Sequence, residues 1–101
     1  MRVPVFVGHS ESINIQTQSP ITPEEVKSLL SKAPGVTVLD NPSNNEYPTP
    51  RDVVGEDDIY VGRIRQDISS DSSIECWCVG DNLRKGAALN AVQIAEALIN
   101  S

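Results

Sequence analysis

The residues able to do chemistry are few and lie at opposite ends of the chain. His9 is the only histidine, set in the small polar run Gly8-His9-Ser10-Glu11-Ser12. A lone histidine in a loop is more often a surface hydrogen-bonder than a catalyst. Here Gly8 lets the backbone take unusual angles, Ser10 and Glu11 are potential orienting partners, and Arg2 lies on the segment leading in. On a regular strand positions 2 and 9 face opposite sides; a bulge at Gly8 would bring both to one side and set a fixed cation beside a titratable base. Cys76 and Cys78 flank Trp77 within a strand-like run. They lack the paired spacing of a zinc site, and they sit neither at a helix N-terminus nor beside a base, so they read as structural thiols and no metal is expected. Arg63 and Arg65 could bind an anion or pair with acids across a subunit boundary, and equally could make salt bridges on a solvated face. No Gly-x-Gly-x-x-Gly occurs, so any nucleotide contact by this chain is secondary.

These residues need a scaffold. The clearest local signal is Thr22-Pro23-Glu24-Glu25: an N-cap threonine, a proline at the first helical position and a glutamate three residues after the cap. Val26, Leu29, Leu30 and Ala33 would face the core, and Pro34-Gly35 stops the helix. Residues 2–7 and 13–18 read as β-rich runs, forming one bent strand or two strands meeting at Gly8; residues 36–39, 59–66 and 74–79 read as further strands. In the 59–66 run, Val61, Arg63 and Arg65 share a face by alternation. Residues 40–58 are rich in Asn, Pro, Asp and Glu and read as a long loop, either partner-binding or a solvated connector. Together these elements describe an α+β domain with a mixed or antiparallel sheet and helices packed on one face.

The closing stretch reads as one helix from Asp81 or Asn82 to about Asn100, its side-chain cap accepting from the first-turn amides. Leu83, Ala87, Ala91, Ile94 and Leu98 make one apolar face, and Ala88, Val92, Ala95 and Ile99 a second. A helix this apolar calls for a partner that the preceding eighty or so residues do not supply. The 101 residues carry a net charge of −6, from 14 acidic against 8 basic side chains, and the basic ones are scattered. That balance prepares no surface for nucleic acid or an anionic membrane. The two cysteines lie roughly 7 Å apart along one strand, a poor disulfide geometry that fits a reducing compartment; with no long apolar run or leader, the chain reads as soluble and cytoplasmic.

Arg2-Val3-Pro4-Val5, Gly8-His9-Ser10-Glu11-Ser12, Tyr47-Pro48-Thr49-Pro50, Val61-Gly62-Arg63-Ile64-Arg65 and Gly80-Asp81-Asn82-Leu83-Arg84-Lys85-Gly86-Ala87-Ala88-Leu89-Asn90-Ala91 resemble, in order, the C-terminal part of aspartate-β-semialdehyde dehydrogenase. The resemblance covers nearly the whole chain. It implies a glyceraldehyde-3-phosphate-dehydrogenase-like C-terminal domain fragment. The enzyme it implies uses NADPH to convert L-aspartyl-4-phosphate to aspartate semialdehyde through a cysteine thioester, in lysine, threonine, methionine and diaminopimelate synthesis. By position, His9 is similar to the family's acid/base histidine, Arg2 to the arginine that clamps the substrate carboxylate, and Asn82 to a contact of the nicotinamide end of NADP.

The resemblance also implies what is missing. The family's nucleophilic cysteine and Gly-rich cofactor loop lie upstream, and neither Cys76 nor Cys78 aligns with the nucleophile. The expected division is therefore residues 1–80 as part of a substrate-binding and dimerisation domain, and 81–101 as a terminal helix that packs on a missing N-terminal NADP-binding domain. The chain alone is expected to be inactive and not to bind NADP, and a homodimer is implied. Two other readings stay open: a fragment of the related N-acetyl-γ-glutamyl-phosphate reductase, against which the Gly-His-Ser-Glu-Ser run argues, and a non-catalytic dimerisation module.

Overall fold

The computed structural model describes residues 2–101 and holds one mixed four-stranded sheet. In chain order come β1 (His9–Gln16), α1 (Pro23–Lys32), β2 (Val36–Val38), a 3-10 turn (Pro42–Asn44), the single turn α2 (Pro50–Val53), β3 (Ile59–Gln66), β4 (Ser73–Gly80), a π-type turn (Arg84–Ala88) and α3 (Leu89–Ile99). The spatial order is β1-β4-β3-β2. β4 runs antiparallel to both β1 and β3, and β2 runs parallel to β3.

Helix α1 forms as its capping residues require. The Thr22 hydroxyl accepts from the Glu25 amide at 3.2 Å, and the Thr22 amide donates to the Glu25 carboxylate at 2.8 Å. Those bonds hold the Glu25 carboxyl below its ordinary value. Val26 and Leu30 pack against a core of Val61, Ile64, Ile74 and Cys76. Leu29 does not: it is 64% exposed, because the buried stripe is narrow and runs through Val26 and Leu30.

Alternation fails in β3. Val61 is buried in the core, whereas Arg63 and Arg65 are exposed on the other side. The cause is a bulge between Gly62 and Arg65, where Arg63 takes a left-handed φ of 52° and shifts the parity, so that Ile64 follows Val61 into the core. Asp40 supplies the partners the ladder loses. Its carboxylate accepts from the Arg63 amide at 3.0 Å and the Ile64 amide at 3.1 Å, and pairs with Lys27 at 3.0 Å.

The segment read as a loop over residues 40–58 is built rather than loose. Besides its 3-10 turn and α2, it carries an Asn41–Glu46 bridge, and Val53 and Pro48 are fully buried. Its prolines open turns, where a missing N–H costs nothing. Pro48 lies over Gly62: a Cβ on Gly62 would stand 2.5 Å from the Pro48 side chain and 2.3 Å from the Leu39 carbonyl oxygen. The Trp77 indole donates to the Pro48 carbonyl at 3.0 Å.

Both ends depart from the sequence reading. Residues 2–7 form no strand. β4 ends at Gly80, already opposite His9, so no ladder partner remains for earlier residues, and Pro4 has no N–H to offer one. The closing stretch is not one continuous helix. A π-type turn over Arg84–Ala88 precedes α3, with non-helical angles at Ala87, and α3 buries none of its residues.

Candidate functional site

His9 opens β1, where its backbone pairs in register with Gly80, the last residue of β4. The chain leaving β4 passes directly into Asp81 and Asn82. His9 and Asn82, 73 positions apart in sequence, therefore line one cleft of about 250 Å³, together with Glu11, Cys78, Lys85 and Asn90. Gly86 lies between, and positions 82, 86 and 90 are spaced four apart, the spacing that aligns side chains on one face of a helical path. Lys85 and Asn90 are not singled out by the sequence reading, although for Asn90 that spacing from Asn82 is the signal that could have found it.

Two adjacent side chains fix the cleft floor. The Asp81 carboxylate is buried at 4% exposure and accepts from the Gly55 amide at 2.9 Å and the Leu83 amide at 2.8 Å. These bonds, Gly55 first, hold its carboxyl below the ordinary value of 3.8. Asp81 thus accepts from an amide just ahead of the π-type turn, which has Leu83 as its N-cap with no side-chain cap bond, rather than capping a helix that starts at Asp81 or Asn82. Asn82 caps no such helix either: its Oδ1 accepts from the Gly8 amide at 2.9 Å. Gly8 is buried with a φ of 99°, and a Cβ there would meet the Pro50 Cβ at 3.0 Å, so the position is closed to other residues both by angle and by space. The His9 side chain is exposed at the rim.

The structure brings His9 and Asn82 to one place and leaves Arg2 apart. Arg2 is exposed in the irregular stretch before Gly8 and is not among the described residues that line the cleft. The expected bulge is not what forms at Gly8; with no strand before it, strand parity does not relate positions 2 and 9.

Cys76 and Cys78 are free thiols on the core side of β4. The two thiols act on one another so that Cys76 is pulled down, with Arg65 also favouring its thiolate, and Cys78 is pushed up by Cys76 and by burial. Arg63 and Arg65 line a separate hollow on the opposite face with Tyr47 and Trp77, and Arg65 pairs with Glu75 at 2.7 Å. Among the described residues, no group of three or more His, Cys, Asp or Glu is placed to hold a metal ion, and no helix is long and apolar enough to cross a membrane.

The cleft presents the amides of Asn82 and Asn90, the ammonium of Lys85 and the carboxylate of Glu11 around the exposed His9.

Comparison with known proteins places the chain in a family. The family described as semialdehyde dehydrogenase, dimerisation domain, matches residues 1–85. The chain is 56% identical over 98% of its length to an aspartate-semialdehyde dehydrogenase of Aquifex aeolicus, covering 29% of that protein, and 56% identical over 97% to one of Legionella pneumophila, covering 28%. Among solved structures, aspartate semialdehyde dehydrogenase II of Vibrio cholerae complexed with ASA superposes with a TM-score of 0.88 at 46% identity, over 99% of this chain and 29% of that one. A probable aspartate-semialdehyde dehydrogenase of Pseudomonas aeruginosa gives 0.82 at 39%, over 95% and 28%. The chain thus spans less than a third of the length of these relatives.

Proposed function

Because the chain belongs to the semialdehyde dehydrogenase dimerisation-domain family, we propose that it serves as the C-terminal part of an NADP-dependent aspartate-semialdehyde dehydrogenase and supplies the acid/base side of its active site. The observation that carries this reading is the 56% identity over 98% of the chain to a protein of that name. NADPH, when bound, supplies the hydride. Everything else asked of this chain is positioning and proton handling.

In this reading His9 accepts the proton of the attacking thiol and later returns one to the thiolate expelled as the thiohemiacetal collapses to the aldehyde. Its exposed place at the cleft rim suits a group that must meet a substrate carried on another domain. Arg2 holds the substrate carboxylate with its planar fork, a role its exposure leaves open to it. Asn82 offers its amide donors to the nicotinamide end of the cofactor, with Lys85 and Asn90 beside it.

The nucleophile and the cofactor loop come from the N-terminal part of the enzyme, so the chain alone is inactive and does not hold NADP. Helix α3, with Val92, Ile94, Leu98 and Ile99 all more than half exposed, packs on that part. Two copies of the chain associate as a homodimer, in keeping with the matched family description. The free thiols accord with a reducing, cytoplasmic setting.

The test is steady-state kinetics of the full-length enzyme. His9→Ala lowers kcat by about 100-fold or more while leaving the KM for NADP within a few-fold. Arg2→Lys acts chiefly on the KM for aspartate semialdehyde. An unchanged kcat in His9→Ala would remove the acid/base assignment.

A further inference from the structure

The Asn82 side chain has two ends, and only one is free for a ligand. Its Oδ1 is committed to the Gly8 amide at 2.9 Å, across 74 positions of sequence. That leaves the Nδ2 donors for whatever enters the cleft. The commitment falls on the Val7–Gly8 peptide, one residue before His9, at the point where regular structure stops. On the C-terminal side, β1 is held by its ladder to β4 from His9 onward. On the N-terminal side, residues 2–7 have no ladder, and Gly8 is a left-handed glycine.

No hydrogen bond to the His9 imidazole occurs among the described residues, so the place from which the ring projects is set by the backbone beneath it. Asn82 is itself held by its neighbour, since Asp81 is buried and bonded to the Gly55 amide just past α2, while Pro50 of α2 closes over Gly8. The Gly8 hinge, the α2 segment and the residues after β4 are thereby tied together at one point.

We propose that Asn82 is a positioning residue for His9: its carbonyl oxygen clamps the Gly8 peptide and so fixes the place from which the imidazole projects. The clamp rests on the reading of His9 as the proton carrier. It adds a coupling to that reading, because the amide group that offers Nδ2 to the cofactor is the one that holds the Gly8 N–H, at the entry to His9, at Oδ1. A ligand that orders the Asn82 amide also orders His9.

Substitutions in the full-length enzyme separate the two ends. Asn82→Asp keeps an oxygen for Gly8 and removes the cleft donors; it raises the KM for NADP and lowers kcat less than Asn82→Ala does. Asn82→Ala removes both and lowers kcat at saturating cofactor by about tenfold or more, the scale expected when a catalytic group is misplaced. Because that loss acts through His9, the double variant Asn82→Ala/His9→Ala has a kcat no lower than His9→Ala alone.

If the losses instead multiply, or if the Asp and Ala variants lose kcat equally, the clamp is overturned while His9 keeps its role. If His9→Ala leaves kcat intact, the catalytic reading itself falls and the clamp with it. Should Asn82→Ala not fold, Asn82→Leu, which keeps the bulk without an acceptor, replaces it in the same cycle.

Discussion

The sheet and the closing helix both carry apolar residues and treat them in opposite ways. In the sheet, Ile74, Cys76, Val61 and Ile64 are between 1% and 5% exposed, and α1 closes over them. In α3, Leu98 is 72% exposed and Ile99 81%, and no residue is buried. The sheet residues specify a fold that this chain completes by itself. The helix residues specify a surface for something outside it, because exposed apolar faces of this extent are otherwise an aggregation liability. Substitutions in the two regions therefore have different consequences in the chain and in the whole enzyme.

The greatest loss is expected where the sheet is tightest. Gly62→Ala drives a methyl into the Leu39 carbonyl and Pro48 and destabilises the chain by about 3 kcal/mol or more, read as a lower urea midpoint with unchanged slope. Asp40→Ala comes next. It strands the Arg63 and Ile64 amides of the bulge and costs about 2 kcal/mol in the same titration, whereas the surface pair Arg65–Glu75 contributes within about 1 kcal/mol.

Acid sharpens the contrast further. Asp81, Glu25 and Asp67 all have carboxyls held below their ordinary values, Asp81 by the Gly55 amide, Glu25 by the Thr22 amide and Asp67 by the Ser69 amide. The unfolded chain therefore binds more protons than the folded one once the pH approaches those ordinary values of 3.8 to 4.5. The stabilisation is complete above that range and is lost as the pH falls through the lower folded values. Thermal melts across pH stay level down to about pH 5 and then decline. The deficit of Asp81→Asn relative to the unaltered chain narrows as they do.

The smallest effects belong to α3. Leu98→Ser and Ile99→Ser shift the stability of the chain by no more than about 0.5 kcal/mol, as exposed positions do, but cost about 2 kcal/mol each in the full-length enzyme, where the proposed packing of α3 covers these residues. Equal effects in the two settings would break the distinction between the regions.

What could be read from the sequence was local. Thr22 and Glu25 lie three residues apart and specify their own hydrogen bonds, and the β3 and β4 runs carry their pattern within eight residues each. What escaped depends on residues far apart. Alternation placed Val61 beside Arg63 because nothing near position 63 reveals that Asp40 will satisfy a bulge there. Asn82 had the residue type of a helix cap, yet its acceptor went to Gly8. Residues 2–7 had strand composition but no neighbouring strand to pair with. At the site, residue patterns left His9 open between a surface role and a chemical one. The resemblance of the flanking motifs directed attention to it, and only the fold put His9 and Asn82 in one cleft.

The most direct test of the account is phosphate-dependent reduction of NADP with aspartate semialdehyde, measured on this chain alone and after mixing it with a separately made N-terminal portion of the enzyme. The account predicts no turnover by the chain, turnover in the mixture, and loss of that turnover when the chain carries His9→Ala. Turnover by the chain alone, or a mixture that associates and folds yet stays silent, would contradict it.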